Sequence, residues 1–125
     1  MSSQDFPSSE HAFSFWQHLI DGGPLYILFH FLFVVGVFVA LFTIIRRLPL
    51  PWMLFASCMP FIWGSAAAHI GVLEQIIGLR LDSSTPVAVQ AARFSYDIVA
   101  FNWACIISLL FMVISLLVRA KAKAV

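Results

Sequence analysis

Three long stretches of this chain contain no Asp, Glu, Lys or Arg: Leu25 to Ile45, Leu48 to Leu73 and Ile98 to Val118. Each reaches the roughly 20 residues that a helix needs to cross about 30 Å of hydrocarbon. Inside a bilayer no water can satisfy an open backbone N–H or C=O, so such stretches read as helices rather than strands. Composition points the same way. Of 125 residues, 62% are hydrophobic and 10% charged, where a soluble domain carries about 25% charged residues. The fold class expected is therefore all-α: an integral membrane protein of three transmembrane helices, with spans near 24–46, 51–73 and 95–118.

Local punctuation supports these limits. Asp21-Gly22-Gly23-Pro24 opens the first span, with proline in a first-turn position where its missing N–H costs nothing. Pro49 and Pro51 enclose a connection too short to do more than reverse the chain. Ser83-Ser84-Thr85-Pro86 is a further cap-plus-proline signal ahead of the third helix.

The basic residues set the expected orientation. Arg46 and Arg47 follow the first span, and Arg119, Lys121 and Lys123 follow the third, so five of the seven basic residues lie on one side. The positive-inside rule places that side in the cytoplasm and the N-terminus outside. Residues 1–23 then form an outer, periplasmic segment, and 120–125 a cytoplasmic basic tail. No basic region with a small-residue cleavage site precedes the first span, so no removable signal peptide is expected. Within the outer segment, Phe13, Trp16 and Ile20 recur at helical spacing over Glu10 to Ile20, behind Ser8 and Ser9 as possible caps. This reads as a short amphipathic helix in the outer interface, with a disordered tail as the alternative.

Small residues mark helix faces. Ser57, Gly64, Ala68, Gly71 and Gln75 share one stripe of the second span; Asp97, Ala104, Ser108 and Ser115 share one of the third. Such stripes let helix backbones approach closely, the usual basis of association in lipid. Gly64, Ala68, Gly71, Ala104 and Ser108 are thus the expected helix-packing residues. The first span offers only Gly36, Ala40 and Thr43 and reads as lipid-facing. Three helices enclose little volume, so burying both stripes suggests a homo-oligomer.

Few side chains could carry chemistry. An ionisable residue within a membrane helix is costly and is a functional candidate by default, which singles out Asp97. It lies three turns deep if the third helix begins at Pro86, and at the interface if the membrane begins near Phe94. The structural alternative is an i, i+4 pair with Arg93. Glu74 reads as a solvated boundary residue. His30 and His69 raise bis-histidine haem ligation, against the plainer reading of histidines hydrogen-bonded to neighbouring helices. Cys58 and Cys105, far apart in apolar runs, read as small fillers. No catalytic arrangement, metal-spaced cluster or phosphate loop is visible, so neither enzyme nor resident cofactor is expected. A net charge of +1 gives no reason to expect nucleic acid.

The sequence Asp21-Gly22-Gly23-Pro24-Leu25, with the span that ends in Ile45-Arg46-Arg47-Leu48, resembles the first helix of the MotA/TolQ/ExbB proton-channel family. Ala56 to Gly71, with Pro60-Phe61-Ile62 and then Gly64 and Gly71, is similar to that family's glycine-rich second helix. Asp97, followed five positions later by Asn102, resembles its acidic residue and threonine. The resemblance spans nearly all of this chain but only the membrane part of the family. There are departures: the second-helix threonine falls on Ala67, glycines are replaced by Trp63 and Ala66, and Arg46-Arg47-Leu48-Pro49-Leu50-Pro51 stands where the family has a long cytoplasmic segment. The resemblance implies a pentamer in the bacterial inner membrane, with the second and third spans lining a pore around a single-span partner of the ExbD/TolR type. It further implies proton flow through Asp97 and Asn102. A non-conducting membrane scaffold is the alternative, and a haem-b subunit through His30 and His69 the third.

Overall fold

A computed structural model describes residues 14–78 and 84–124, and these are helical throughout apart from caps and turns. The elements in chain order are α1 (Phe15–Asp21), α2 (Gly23–Ile45), α3 (Leu50–Ile77) and α4 (Val87–Ala124). Three of them, Gly23–Ile45, Leu50–Ile77 and Val87–Lys123, are long and apolar enough to cross a membrane. This is a multi-pass membrane protein. The large apolar side chains that point outward, such as Phe38, Ile45 and Leu117, form a surface that hydrocarbon can cover and water cannot.

Each helix end has a local cause. α1 is capped by Ser14, whose hydroxyl accepts from the amide of Gln17, so the helix starts later than the Ser8/Ser9 reading; those two residues, Glu10 and Phe13 lie outside the described residues. Pro24 and Pro51 occupy the first turns of α2 and α3. α3 ends at Gly78, where φ of 83° is the left-handed conformation that glycine adopts without a steric penalty. α4 begins at Val87, directly behind Pro86, and runs 38 residues without a break. At 1.5 Å per residue that is about 57 Å, longer than the hydrocarbon alone requires. The third span expected near 95–118 is thus the inner part of a longer helix.

The long helices form a layer with α3 in the middle. α2 and α4 each run antiparallel to α3 along its length and touch one another only slightly. Without a hydrophobic drive between helices in lipid, close packing and hydrogen bonds must hold this layer. Gly36 lets α2 approach so closely that a β-carbon there would lie 3.0 Å from Met59 Cβ and 3.3 Å from the Pro60 nitrogen. Ala40 and Thr43 continue that buried line. The first span is therefore not simply lipid-facing: its small-residue line seats it on α3, and its Phe, Leu and Val residues face out.

The two predicted stripes meet each other. Ser57 Oγ lies 3.4 Å from Ser115 Oγ, and the Phe61 amide donates to Ser108 Oγ at 2.8 Å. That amide directly follows Pro60, which removes a donor from the helix interior. Gly64, Ala68, Gly71, Ala104 and Ser108 are all buried at the α3–α4 seam or beside it. Their burial is intramolecular, so it does not by itself require a second copy.

At Gly64 the fit is tight on both sides. An added β-carbon would lie 2.6 Å from Ala104 Cβ and 2.9 Å from Phe33 Cδ2. Gly64→Ala is expected to destabilise the bundle by about 1–3 kcal/mol through overpacking, read as a lower melting temperature in detergent. Adding Ala104→Gly to the same chain should recover part of the loss, because it removes the nearer of the two obstacles.

Candidate functional site: a buried carboxylate held by four helices

The Gly22-Gly23 turn builds the site. Gly22 caps both α1 and α2 and is buried beneath the Tyr26 ring, where a β-carbon would collide with the ring carbons Cγ and Cδ1; Gly23 has φ of 82°. Neither position tolerates a side chain, and the turn folds α1 back over the first turn of α2. α1 keeps Trp16 and Ile20 exposed and turns His18 inward, 1% exposed. This brings His18 onto Tyr26, eight residues further along the chain.

Across α3, α4 supplies Asp97. Its side chain reaches Tyr26 only because Gly71 notches the middle helix: a β-carbon there would lie 2.5 Å from Asp97 Oδ2 and 2.7 Å from Tyr26 Cε2. Asp97 is 1% exposed. Its Oδ1 accepts from the Tyr26 hydroxyl at 2.5 Å and lies 3.3 Å from His18 Nε2. Its Oδ2 accepts from Gln75 Nε2 at 2.7 Å. The tyrosine oxygen lies 2.8 Å from His18 Nε2. Since the one hydroxyl proton of Tyr26 points to the carboxylate, its oxygen accepts, and His18 carries its proton on Nε2. Gln75 Oε1 is buried with no hydrogen-bond partner among the described residues, so the carboxylate sets the orientation of that amide.

Asp97 lies ten residues into α4 from Val87, just under three turns. It is level with the first turn of α2 and the last two turns of α3, beneath α1. The alternative of an i, i+4 pair between Arg93 and Asp97 gives way to a longer-range ion pair. Arg93 Nη2 donates to Asp21 Oδ2 at 2.7 Å, tying α4 to the end of α1. Partly exposed, that ion pair contributes up to about 1 kcal/mol. Asp97 instead bonds α1, α2 and α3 together.

A second layer of rings lies against the first. His30, one turn deeper on α2 than Tyr26, donates from Nδ1 to the Tyr26 carbonyl at 2.9 Å, which leaves Nε2 as an acceptor for the Tyr96 hydroxyl at 3.4 Å. Its ring is 4.3 Å from that of Tyr26, and Tyr96 packs 4.9 Å from His18. His69 is separate: its Nδ1 donates to the Ser65 carbonyl at 2.6 Å, and its ring is exposed. His30 and His69 line different cavities, one between α2 and α4 and the other along α3 and α4. The geometry thus gives each histidine its own helix carbonyl rather than a shared ligand position. Among the described residues no group of three or more His, Cys, Asp or Glu could hold a metal ion. Asn102 lies on the exposed face of α4, away from the Asp97 cluster.

Sequence reasoning identified Asp97 but not His18 or Tyr26, and it treated Gln75 only as part of a packing stripe. A signal was present for two of them. His18 lies on the face of α1 opposite Trp16, and Tyr26 is a polar residue at the start of a Phe- and Leu-rich run. Chemically, the site sets a buried carboxylate, imidazole and phenol within hydrogen-bonding distance of one another. No protein-family model, curated protein or solved structure matches this chain.

Proposed function

We propose that this chain is a proton-handling subunit of an energy-transducing complex in the bacterial inner membrane. The observation that carries the reading is Asp97, buried within a membrane helix and hydrogen-bonded to His18, Tyr26 and Gln75 from three other helices. Such a residue is costly in a membrane and is kept for charge or proton movement in most settings. By the positive-inside rule the cluster sits near the outer face, with His18 between Asp97 and the outer solution. Protons would then pass from His18 through the Tyr26 hydroxyl to Asp97 and on toward the cytoplasm. One charge crossing 100 mV releases about 2.3 kcal/mol, enough over several protons to drive a conformational change.

The likeness of the second and third spans to proton-channel helices supports the same reading, and with it a pentamer around a single-span partner. Asn102, outward on α4, would there face the pore or a neighbouring subunit rather than Asp97. A second reading has its own observation: the Asp97 bonds to His18, Tyr26 and Gln75 each join two helices, so the cluster would serve as a static clasp in a non-conducting scaffold. Liposomes carrying the purified protein separate the two. Under an imposed inside-negative potential they should acidify faster than empty liposomes, and Asp97→Asn should return them to the empty rate. Absence of wild-type flux, or undiminished flux in the variant, would favour the clasp and end the proton reading.

A further inference from the structure

We infer that His30 is a second proton station, accepting the proton that leaves Asp97 and passing it to water in the groove between α2 and α4. The inference rests on the proton-handling reading above and adds the inward step that it lacks. Three observations carry it. First, Tyr26 joins the two centres: its hydroxyl bonds the Asp97 carboxylate, its backbone carbonyl bonds His30 Nδ1, and its ring packs on the imidazole. Second, the Nδ1–H bond to that carbonyl leaves Nε2 with a lone pair, facing Tyr96, which adjoins Asp97 in the chain. Third, His30 and Tyr96 form the polar end of a groove of about 180 Å³, otherwise lined by Phe33, Gly64, Trp103 and other apolar residues. That volume has room for several water molecules, which persist where two or more polar groups can bond them.

The step balances without any redox partner. Protonated Asp97 releases its proton, through a bridging water, to His30 Nε2 as the Tyr96 hydroxyl turns aside; the carboxylate is left ionised. The imidazolium so formed keeps Nδ1–H on the Tyr26 carbonyl. Nε2 then gives one proton to groove water, and the neutral imidazole is restored. His69 supplies a comparison within the same chain. It too bonds a carbonyl of its own helix and borders a different, mainly apolar cavity that Asp97 also lines. Its ring lies outside the Tyr26–Tyr96 cluster, however, and among the described residues no hydrogen-bonded residue joins it to the carboxylate as Tyr26 joins His30.

The test uses the full chain in liposomes under an imposed potential, with His30→Ala, His30→Gln and His69→Ala. Removing a positioned acid–base group costs on the order of 100-fold, so both His30 variants should lose about that much flux. Imidazole in the buffer should restore flux to His30→Ala, whose truncated side chain enlarges the groove, above its effect on His30→Gln liposomes, where the site stays filled. His69→Ala should conduct like the wild type. Wild-type flux in His30→Gln, no imidazole rescue of His30→Ala, or an equal loss in His69→Ala would overturn the inference. If wild-type flux is present and Asp97→Asn is silent, those results reject only the role of His30. If the wild type carries no protons, the parent reading fails with it.

Discussion

Asparagine at position 97 is expected to leave the bundle folded and to abolish the proton flux proposed for it. The fold should survive because Tyr26, His18 and Gln75 can adapt. With Oδ1 of the new amide toward Gln75, the bond that Gln75 now makes to the carboxylate is retained. The amide Nδ2 then donates to the Tyr26 oxygen. A hydroxyl both donates and accepts, so Tyr26 can turn its proton to His18 Nε2, 2.8 Å away, once that ring carries its proton on Nδ1. Tyr26 and Gln75 each keep a hydrogen-bond partner, yet the group can no longer take up and release a proton. Alanine at the same position should behave differently. Tyr26 can still turn to His18, but Gln75 loses its carboxylate and the cavity left behind is polar. Each stranded buried donor costs about 1–3 kcal/mol, so Asp97→Ala should lower the melting temperature in detergent where Asp97→Asn does not. Equal melting losses in both variants would mean that the charge itself, rather than its hydrogen bonds, holds the four helices together.

The other large effect is expected at Gly71. In a helix interior, replacing glycine by alanine ordinarily favours the helix by about 1 kcal/mol. Here the new β-carbon would lie 2.5 Å from Asp97 Oδ2 and 2.7 Å from Tyr26 Cε2. Those two side chains are bonded to each other, so neither can yield without lengthening the Tyr26–Asp97 contact. Overpacking costs about 1–3 kcal/mol, and a hydrogen bond to a charged group contributes about 1.5–3 kcal/mol; together they outweigh the gain in helix propensity. Gly71→Ala should therefore melt well below the wild type, and more so than Gly64→Ala, where the neighbours are a methyl group and a phenyl edge. It should also lose proton flux, since α3 would stand between the phenol and the carboxylate. A Gly71→Ala protein as stable as the wild type would show that α4 reaches Tyr26 by some route other than the notch.

Much of this architecture was legible in the residues. The three spans follow from the charge-free runs, and their ends from Pro24, Pro51, Pro86 and the Gly22-Gly23 pair, because hydropathy and backbone preference act on each segment separately. The stripes led by Gly64 and Gly71 on one helix, and by Ala104 and Ser108 on the other, were readable from helical periodicity. Asp97 stood out because a carboxylate in a membrane helix is expensive wherever it points. What these features could not supply was the partner of each face. The two stripes were expected to seek other subunits and instead close on each other. The first span was expected to face lipid and instead seats Gly36 against Met59 and Pro60.

The site itself belongs to the tertiary structure. His18 and Asp97 are 79 positions apart, and nothing local to either residue specifies the other. Their meeting depends on a turn that lays α1 over α2, on the antiparallel register of α2 and α4 against α3, and on one missing side chain at Gly71. By itself the sequence determined which three segments are long and apolar enough to cross a membrane and which carboxylate is out of place there. Only the packed helices decided what that carboxylate touches, because rotation and register are set by where backbones can come close, and that is a property of helix pairs rather than of any one helix.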